Sequence, residues 1–275
     1  MKKIIALVLC VLMVVAVLAA CSDQAQEAAD GGEATSDAAA SSVEAIKAKG
    51  ELVMLTNASF PPYEYLGDDN KPAGVDVDLM GQVAEELGVE LKVVDMDFDG
   101  LIAALMAGKG DAVAAGLTVT DERKQSVDFS DDYATATQYI IAKEDDDSIQ
   151  SVDDLADKVV GVQLGTTGDI YMSDDGMAKE LKQYKNALEA AMDLKNGNID
   201  AIVVDKMPAS TIVDANEGLK LIGDAFGEEK YAVAVAKGNE DLIEVINKVI
   251  SRLNDDGKIE RWTAEHAELF ANLGN

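Results

Sequence analysis

"LIAALMAGKGDAVAAGL", residues 101–117, has the pattern of a helix followed directly by a buried strand, and the chain contains a second copy of that pattern. The second copy is "AAMDLKNGNIDAIVVDK", residues 190–206, which aligns with the first when Asp111 is placed on Asp200. A repeated helix–strand unit is typical of α/β proteins. We therefore predict two similar α/β lobes whose equivalent strand ends meet at a cleft, where open α/β sheets bind ligands.

The rest of the chain alternates in the same way between strand patterns and helix patterns. Strand patterns cover "ELVMLTN", "VELKVVDM", "DAVAAGL", "KVVGVQLG" and "NIDAIVVD". Helix patterns cover "VDVDLMGQVAEELG", which Gly88 ends, "DGLIAALMAGKG", which Asp99 caps, "TGDIYMSDD" and "NALEAAMDLKNG", and Ser151 with Asp154 marks one more helix start. This alternation predicts an α/β fold with largely parallel strands.

The N-terminal region has the composition of an export signal. Lys2 and Lys3 precede an apolar run at residues 4–18, and small residues lead into Cys21. The run is shorter than the roughly 20 residues of a membrane helix, so a retained anchor is the weaker alternative. Because "LAAC" resembles a lipobox, we predict a lipoprotein signal peptide over residues 1–20 and acylation of Cys21, the alternative being a spare cysteine.

The segment after the predicted signal lacks the residues that build a core. Residues 22–42 contain no branched aliphatic or aromatic side chain and are rich in Ala, Ser, Gly and acids. Such a segment cannot bury enough apolar area to become ordered. We predict a flexible acidic tether over residues 21–43 and a folded part that starts near Val43.

Composition excludes several classes of function. The chain has 275 residues, 48% hydrophobic and 27% charged, as in soluble globular proteins. Its formal net charge of −29 repels phosphate groups, which argues against nucleic acid as a partner. His266 is the single histidine and Cys10 falls in the predicted signal, so a catalytic triad or a zinc site has too few side chains. We expect His266 at the surface and Trp262, on the same helix, in packing.

A metal site is not predicted either. "DMDFDG" matches the start of a calcium-binding loop, but Met106 stands where that loop needs a bidentate Glu. The acidic run at residues 145–147 is typical of a solvated loop. We therefore expect no metal and no cofactor.

Arg123 is the cation that the chain places in an unfavourable position. In "AAGLTVTDERK", Thr120 is a plausible N-cap, which puts Arg123 in the first turn of a helix. A cation at that helix end is disfavoured by a few tenths to about 1 kcal/mol unless an anion offsets it. Two kinds of anion could offset the charge of Arg123: the carboxylate of Asp121 or Asp128 in a local ion pair, or a ligand carboxylate bound by two parallel hydrogen bonds.

Two further strand ends carry polar groups. Asp205 ends an apolar strand and aligns with Gly116 in the repeat, and it either caps a helix or pairs with a cation. The turn "LGTTGD" offers backbone N–H groups to an anion, for which Asp169 competes.

Aromatic residues also gather near strand ends. Phe60, Tyr63 and Tyr65 surround two prolines after the first strand, and Phe98 follows the second, "VELKVVDM". They either wall a pocket or pack the loop on its own core.

Together these stretches resemble the bacterial extracellular solute-binding proteins of the polar amino-acid type, the receptor components of ABC importers. "FPPYEY", "AGVDVDLMGQVAEELG", "GKGDAVAAGLTVTDERKQSVDFSDDY" and "VGVQLGTTGD" carry the resemblance, which runs from about residue 44 to 270. It implies a periplasmic-binding-protein-like type II fold, two α/β lobes joined by two hinge strands that look like "QYIIAK" and "KYAVAVAK". Lobe 1 would be 44–138 and 232–275, and lobe 2 would be 139–231.

The resemblance also implies roles for residues at both charged ends of an amino acid. Arg123 resembles the arginine that holds the ligand α-carboxylate, helped by N–H groups of Thr118 and Thr167. Asp205 resembles the acid that pairs with the α-ammonium, helped by the Gly116 carbonyl and the Thr118 hydroxyl.

Three residues are implied at the ligand side chain. Phe60 and Phe98 resemble the aromatic pair that sandwiches it. Asn57 stands where many members have Asp, and because an amide both donates and accepts, cationic and neutral polar side chains both stay open.

The function implied is that of an extracytoplasmic receptor, not an enzyme. It would bind a free polar amino acid between its lobes, act as a monomer and deliver the ligand to an ABC transporter permease, tethered by lipid to the outer face of the cytoplasmic membrane. The alternatives are a cyclohexadienyl or arogenate dehydratase-like enzyme, with Glu64 or Asp205 as general acid, and a sensory ligand-binding module.

Overall fold

The computed structural model describes residues 42–174, 176–223 and 226–273. Its strands form two groups, and one long strand takes part in both. The predicted signal peptide, Cys21 and nearly all of the predicted tether lie outside the described residues. The strands are β1 (Glu51–Thr56), β2 (Ser59–Phe60), β3 (Glu64–Leu66), β4 (Pro72–Ala73), β5 (Glu90–Asp95), β6 (Ala112–Val113), β7 (Val127–Lys143), β8 (Val159–Gln163), β9 (Glu180–Tyr184), β10 (Ala201–Asp205), β11 (Leu219–Ile222) and β12 (Glu228–Ala236).

Helices lie before, between and after these strands. They are α1 (Ser42–Lys49), α2 (Val75–Leu87), α3 (Leu101–Met106), α4 (Arg123–Ser126), α5 (Thr167–Asp174), α6 (Ala187–Asn196), α7 (Lys206–Asp214), α8 (Glu240–Asp255) and α9 (Lys258–Ala271). In the described chain six of them lie between the strands, α1 precedes β1, and α8 and α9 follow β12. Among the described residues, no helix is both long enough and apolar enough to span a membrane.

The strand order is β5-β1-β6-β12-β7-β10-β8-β9, and β11 also pairs with β7. In one group β1 runs parallel to β5 and β6, and in the other β8 runs parallel to β9 and β10. Strand β7 joins the groups, because residues 127–137 pair with β12 and residues 138–143 pair with β10 or β11. The predicted α/β fold is confirmed, but the strands are not largely parallel, because β7 pairs antiparallel with β10, β11 and β12, and β12 pairs antiparallel with β6. The lobe boundaries at 44–138 with 232–275 and at 139–231 stay a prediction.

The sequence repeat has a structural counterpart at its aligned acids. The Asp111 carboxylate accepts a hydrogen bond of 2.7 Å from the backbone N–H of Val53, whose carbonyl accepts from Asp111 N. Asp200 makes the same pair of contacts with Val159, at 2.8 Å. In each group of strands this acid fixes the start of a short parallel strand on its neighbour.

Helix α8 contributes an apolar stripe to one of the cores. In α8 the buried residues are Leu242, Ile246, Val249, Ile250 and Leu253, whose spacing of three and four places them on one side of the helix. They pack in a core shared with Leu79 and Val83 of α2. Trp262 packs against the same core, as expected.

Local helix signals were confirmed in most places. Gly88 ends α2 in the left-handed conformation, and the Asn186 side chain accepts from the backbone N–H of Glu189 to cap α6. Ser151 and Asp154 form a capping box, although the helix that follows is a 3-10 turn. The predicted cap at Asp99 is wrong, because a 3-10 turn starts at Phe98 and takes Asp99 into its interior.

The prediction of a surface His266 is also wrong. Its side chain is buried between the Tyr65 hydroxyl, 2.9 Å from Nδ1, and the Asp78 carboxylate, 3.0 Å from Nε2. The two partners come from β3 and α2, far away in sequence. A single histidine on a polar-looking helix gives no local sign of such partners.

Gly74 is the position where the fold most strictly needs a glycine. It precedes α2 with a φ of 130°, and a Cβ there would overlap the backbone carbonyl of Tyr63. We expect Gly74→Ala to lower the free energy of unfolding by about 2–4 kcal/mol. Gly81→Ala, in the middle of α2 with nothing within 4 Å of an added Cβ, should raise it by about 0.5–1 kcal/mol. Urea denaturation followed by circular dichroism measures both, and equal shifts would contradict the packing argument.

Candidate functional site

Arg123 is buried, so its charged guanidinium has lost most of its contact with water. Its backbone N–H donates to the Thr120 hydroxyl at 3.1 Å, so Thr120 acts as the predicted cap. The side chain is 8% exposed; Nη1 donates to the Thr118 carbonyl at 2.7 Å and Nη2 to the Gly165 carbonyl at 3.0 Å. The guanidinium also lies 5.6 Å from the centre of the Phe98 ring. Thr118 and Gly165 belong to different strand groups, so Arg123 connects the two.

The local ion pair that sequence left open is not formed. Asp121 pairs with Lys124 at 3.6 Å and Asp128 pairs with Lys237 at 2.6 Å. Within the described ranges no ion pair involves Arg123, whose hydrogen-bond acceptors are neutral carbonyls. Burial lowers the pKa of Arg123, and the negative charge of Glu229, followed by that of Asp205, opposes this change.

Glu229 is a site residue that sequence reasoning missed. It is 5% exposed on β12, and its Oε2 accepts two hydrogen bonds of 2.8 Å, from the hydroxyls of Thr118 and Thr167. Burial alternates along this strand, since Glu229 and Tyr231 are buried whereas Glu228 is exposed. That alternation in "EEKYAVAVA" was the available signal, because it places Glu229 on the same face as buried apolar residues.

Asp205 ends β10 and is 4% exposed. It occupies the N-cap position of α7, but its side chain makes no capping hydrogen bond, so the capping alternative does not hold. Burial, reinforced by the charge of Glu229, raises the pKa of Asp205 to about 7, while the neighbouring Tyr231 and Gln138 side chains lower it in part.

Several buried oxygens around Asp205 make no well-formed hydrogen bond among the described residues. They are Asp205 Oδ1, Glu229 Oε1, Gln138 Oε1 and Tyr231 Oη. Tyr231 and Asp205 nevertheless lie close enough to raise the pKa of Tyr231 well above its usual value, burial being the larger cause. A cluster rich in acceptors and negative charge is chemically complementary to an ammonium group, which offers three donors and no acceptor.

Gly116 is held by a buried acid. It has a φ of 51°, its N–H donates to Asp76 Oδ2 at 2.8 Å, and an added Cβ would lie 2.8 Å from the Phe60 ring. Burial raises the pKa of Asp76 to about 6. Glu64 is fully buried beside it, and burial together with the charge of Asp76 raises the pKa of Glu64 well above its ordinary value. Asp76, through its hydrogen bond to the Gly116 N–H, fixes the orientation of the Gly116 peptide.

The aromatic residues divide between the site and the core. Phe60 is 5% exposed and lies against Gly116, whereas Phe98 lies against Arg123. Tyr63 meets Tyr231 edge to face at 5.1 Å. Tyr65 packs instead on α9, with its ring 5.4 Å from that of Phe270.

Asn57 is buried at the end of β1, where it meets the other group of strands. Its Nδ2 donates to the Met96 carbonyl at 2.9 Å, and its Oδ1 accepts from Gln163 Nε2 at 2.9 Å. Gln163 is 2% exposed, also donates to the Lys185 carbonyl at 3.2 Å, and its Oε1 has no hydrogen-bond partner among the described residues. Sequence reasoning missed Gln163, because a Gln inside a strand gives no local functional signal.

The "LGTTGD" turn leads into α5, which begins at Thr167. The Asp169 carboxylate accepts from Gly165 N at 2.9 Å, so this acid does compete for a donor of the turn. Thr167 N–H belongs to the first turn of α5, whose N–H groups have no acceptor within the helix.

The structure thus brings four predicted residues together around Glu229 and leaves three beside them. Thr118 and Thr167 touch Glu229, and Arg123 and Asp205 lie within its electrostatic influence. The others are Gly116 with Phe60, and Phe98 on Arg123. Asn57 lies with Gln163, and the predicted lipidation site at Cys21 is outside the described residues.

The sequence matches known proteins over most of its length. Residues 52–268 match the family described as bacterial extracellular solute-binding proteins, family 3. The L-cystine-binding protein TcyJ of Escherichia coli strain K12 is 34% identical over 223 residues, 79% of this chain and 84% of TcyJ. The arginine-binding extracellular protein ArtP of Bacillus subtilis strain 168 is 36% identical over 219 residues, 78% of this chain and 84% of ArtP.

Solved structures resemble the chain in fold. The amino acid ABC transporter substrate-binding protein AbpA of Streptococcus pneumoniae, bound to L-arginine, has a TM-score of 0.81 at 34% identity and covers 83% of this chain and 99% of its own. An ancestral arginine-binding protein bound to glutamine has a TM-score of 0.74 at 42% identity, covering 78% and 97%. AncCDT-1, an ancestral amino acid-binding protein and precursor of cyclohexadienyl dehydratase, has a TM-score of 0.77 at 33% identity, covering 82% and 99%.

These similarities confirm the predicted type II periplasmic-binding-protein-like fold. The named relatives are binding proteins, which agrees with a receptor role rather than an enzymatic one. A family match over most of the chain, together with identities above 30% to relatives of similar length, shows that this chain belongs to the bacterial extracellular solute-binding proteins, family 3.

Proposed function

We propose that the chain is an extracytoplasmic receptor that binds a free polar amino acid around Arg123 and Asp205 and delivers it to an ABC-type importer. The observation that carries this proposal is a buried guanidinium without an ion pair in the described chain, placed near a cluster of buried acceptor oxygens. An amino acid carries one negative and one positive group at a short, fixed spacing, which suits such a site. The named relatives bind cystine and arginine, which supports the same class of ligand here.

At the carboxylate end, Arg123 is the main partner. Its hydrogen bonds to the Thr118 and Gly165 carbonyls hold the guanidinium in place. A planar guanidinium binds a carboxylate with two parallel N–H bonds. The N–H groups of Thr118 and Thr167 would add donors to the same carboxylate, as the resemblance implies.

At the ammonium end, Asp205 supplies the charge. The Gly116 carbonyl and the Thr118 hydroxyl oxygen would complete three acceptors for three N–H groups. Gly116 is suited to this role because Asp76 holds its peptide in one orientation.

At the side-chain end, Asn57 and Gln163 set the polarity. Asn57 Oδ1 is taken by Gln163, whereas Gln163 Oε1 is buried without a hydrogen-bond partner among the described residues. A buried carbonyl without a donor favours a ligand side chain that donates N–H groups and disfavours a carboxylate. Phe60 and Phe98 would pack on its apolar part. We therefore propose glutamine or arginine in preference to glutamate.

The cellular setting belongs to the same proposal. Acylated Cys21 would tether the receptor to the outer face of the cytoplasmic membrane through the flexible segment at residues 21–43. The two lobes, 44–138 with 232–275 and 139–231, would close on the ligand by hinge motion at β7 and β12 before a permease receives it. The receptor would act as a monomer.

An enzyme of the dehydratase type is the second candidate. AncCDT-1 favours it, as does the raised pKa of Asp205, which is suited to a general acid. Glu64, the other acid considered, is fully buried beside Asp76, so it is poorly placed for chemistry. Release of an aromatic product from prephenate or arogenate would support the enzyme, and saturable binding without turnover would support the receptor.

A thermal-shift screen of the twenty amino acids tests the proposed function directly. We expect glutamine or arginine to raise the unfolding temperature, because both end in N–H donors, and glutamate to leave it unchanged. Isothermal titration calorimetry then gives the affinity. A screen in which no amino acid shifts the transition would contradict the proposal.

Arg123→Ala tests the carboxylate end. We expect binding to weaken by about 2–5 kcal/mol, because a desolvated carboxylate would lose its charged partner. Arg252→Ala removes the same charge from an exposed position on α8 and is the matched control, for which we expect wild-type affinity. Calorimetry on both variants decides, and a near-normal affinity for Arg123→Ala would assign that residue a purely structural role.

The raised pKa of Asp205 predicts proton release on binding. The free protein holds a proton on Asp205 below about pH 7, and the arriving ammonium lowers that pKa, so the complex binds fewer protons. Affinity should therefore rise with pH, by up to about tenfold per unit below pH 7, and level off above it. Calorimetry in buffers of different ionisation enthalpy measures the released proton. Asp205→Asn should bind the ligand more weakly and without this pH dependence. A wild-type affinity that stays constant from pH 5 to 8 would contradict proton release from Asp205.

A further inference from the structure

Glu229 lies at the point where the two strand groups meet. Strand β12 places it beside Ala136 of β7, and its carboxylate holds the hydroxyl of Thr118 from one group and that of Thr167 from the other. Tyr171 also faces it, since the charge of Glu229 helps burial to raise the pKa of Tyr171 to about 12. Glu229 is therefore a buried acid of the site to which the proposed ligand contacts assign no role.

The hydrogen-bond directions at Glu229 have a chemical consequence for Thr118. A threonine hydroxyl has one proton, and here that proton is donated to Glu229 Oε2. The Thr118 oxygen can then only accept a hydrogen bond from any further partner. If residue 229 were uncharged and able to donate, the hydroxyl could rotate and offer its proton elsewhere.

The charges at the site also favour a ligand that carries a positive group. Arg123 is the one buried cation of this cluster, and it faces two buried acids, Asp205 and Glu229, of which Glu229 acts more strongly on it. A carboxylate ligand on Arg123 adds a third negative group. A positive group on the ligand is then needed near Asp205, where Glu229 Oε1 and Asp205 Oδ1 make no well-formed hydrogen bond within the described residues.

We propose that Glu229 is a positioning and specificity-determining residue that fixes the Thr118 oxygen as an acceptor and makes the site select α-amino acids over the matching 2-hydroxy acids. This inference rests on the proposed function. An ammonium group fills three acceptors and offsets the negative charge. A hydroxyl group offers one proton and no charge, so it leaves buried acceptors unpaired.

A purely structural role makes a different prediction. If Glu229 only ties the two strand groups together through Thr118 and Thr167, its loss weakens every ligand equally. If it also sets the polarity of the site, its loss weakens amino acids far more than hydroxy acids. The ratio of amino-acid affinity to hydroxy-acid affinity separates these roles. A change in lobe closure would alter both affinities equally and leave this ratio unchanged.

Glu229→Gln tests the inference against Glu228→Gln, the adjacent exposed residue, which loses the same charge. Calorimetry is run with the amino acid that binds best in the screen and with its 2-hydroxy acid. For Glu229→Gln we expect amino-acid affinity to fall about tenfold or more, with hydroxy-acid affinity changing less than about threefold. Glu228→Gln should keep both wild-type values.

Three outcomes overturn the inference. Amino-acid affinity unchanged in Glu229→Gln removes any role in binding, and an equal loss for both ligands leaves a structural role only. If Glu229→Gln does not fold, Thr118→Val takes its place, and an unchanged amino-acid preference in that variant also contradicts the inference. A wild type that binds no amino acid at all is a different result, because it contradicts the proposed function and the inference together.

Discussion

Burial of the Arg123 guanidinium without a carboxylate in direct contact is the constraint on which the rest of the site depends. A desolvated cation needs compensation, and here two carbonyls provide the hydrogen bonds while Glu229 and Asp205 provide negative charge at longer range. The carbonyls belong to Thr118 and Gly165, which lie in different strand groups. Holding one side chain in place therefore requires both groups to be correctly placed, so the architecture and the electrostatics of the site cannot be separated.

Buried carboxylates hold the backbone and the threonine side chains of the site. Asp76 fixes Gly116, Asp169 fixes Gly165, and Glu229 fixes the side chains of Thr118 and Thr167. Each acid accepts from groups that would otherwise be free to move in a loop, which is how a site on strand ends is made rigid. The cost is an excess of negative charge near the ligand: the charge of Glu229 adds to burial in raising the pKa of Asp205. A ligand with a positive group relieves that excess, so rigidity and ligand charge are physically linked.

Sequence reasoning reached the features whose signal is local. The alternation of helices and strands, the caps at Gly88 and Thr120 and the misplaced charge of Arg123 are all readable within about ten residues. The aligned acids of the repeat, Asp111 and Asp200, even have the same backbone contacts. Residues whose partners come from distant segments were harder to find: the alternation along β12 was a local sign that Glu229 is buried but not of its partners, and His266 had no local sign at all. Burial of such polar side chains depends on which strands become neighbours, and no local pattern encodes that choice.

The two ends of the proposed ligand would contact different kinds of side chain. Charged residues, among them Arg123, Asp205 and Glu229, gather at one end, and each depends on the others for compensation. At the other end Asn57 and Gln163 are neutral amides that bond to each other and to backbone carbonyls. A substitution at the charged end disturbs several buried charges that compensate one another, whereas exchange of an amide breaks buried hydrogen bonds but leaves no unpaired charge.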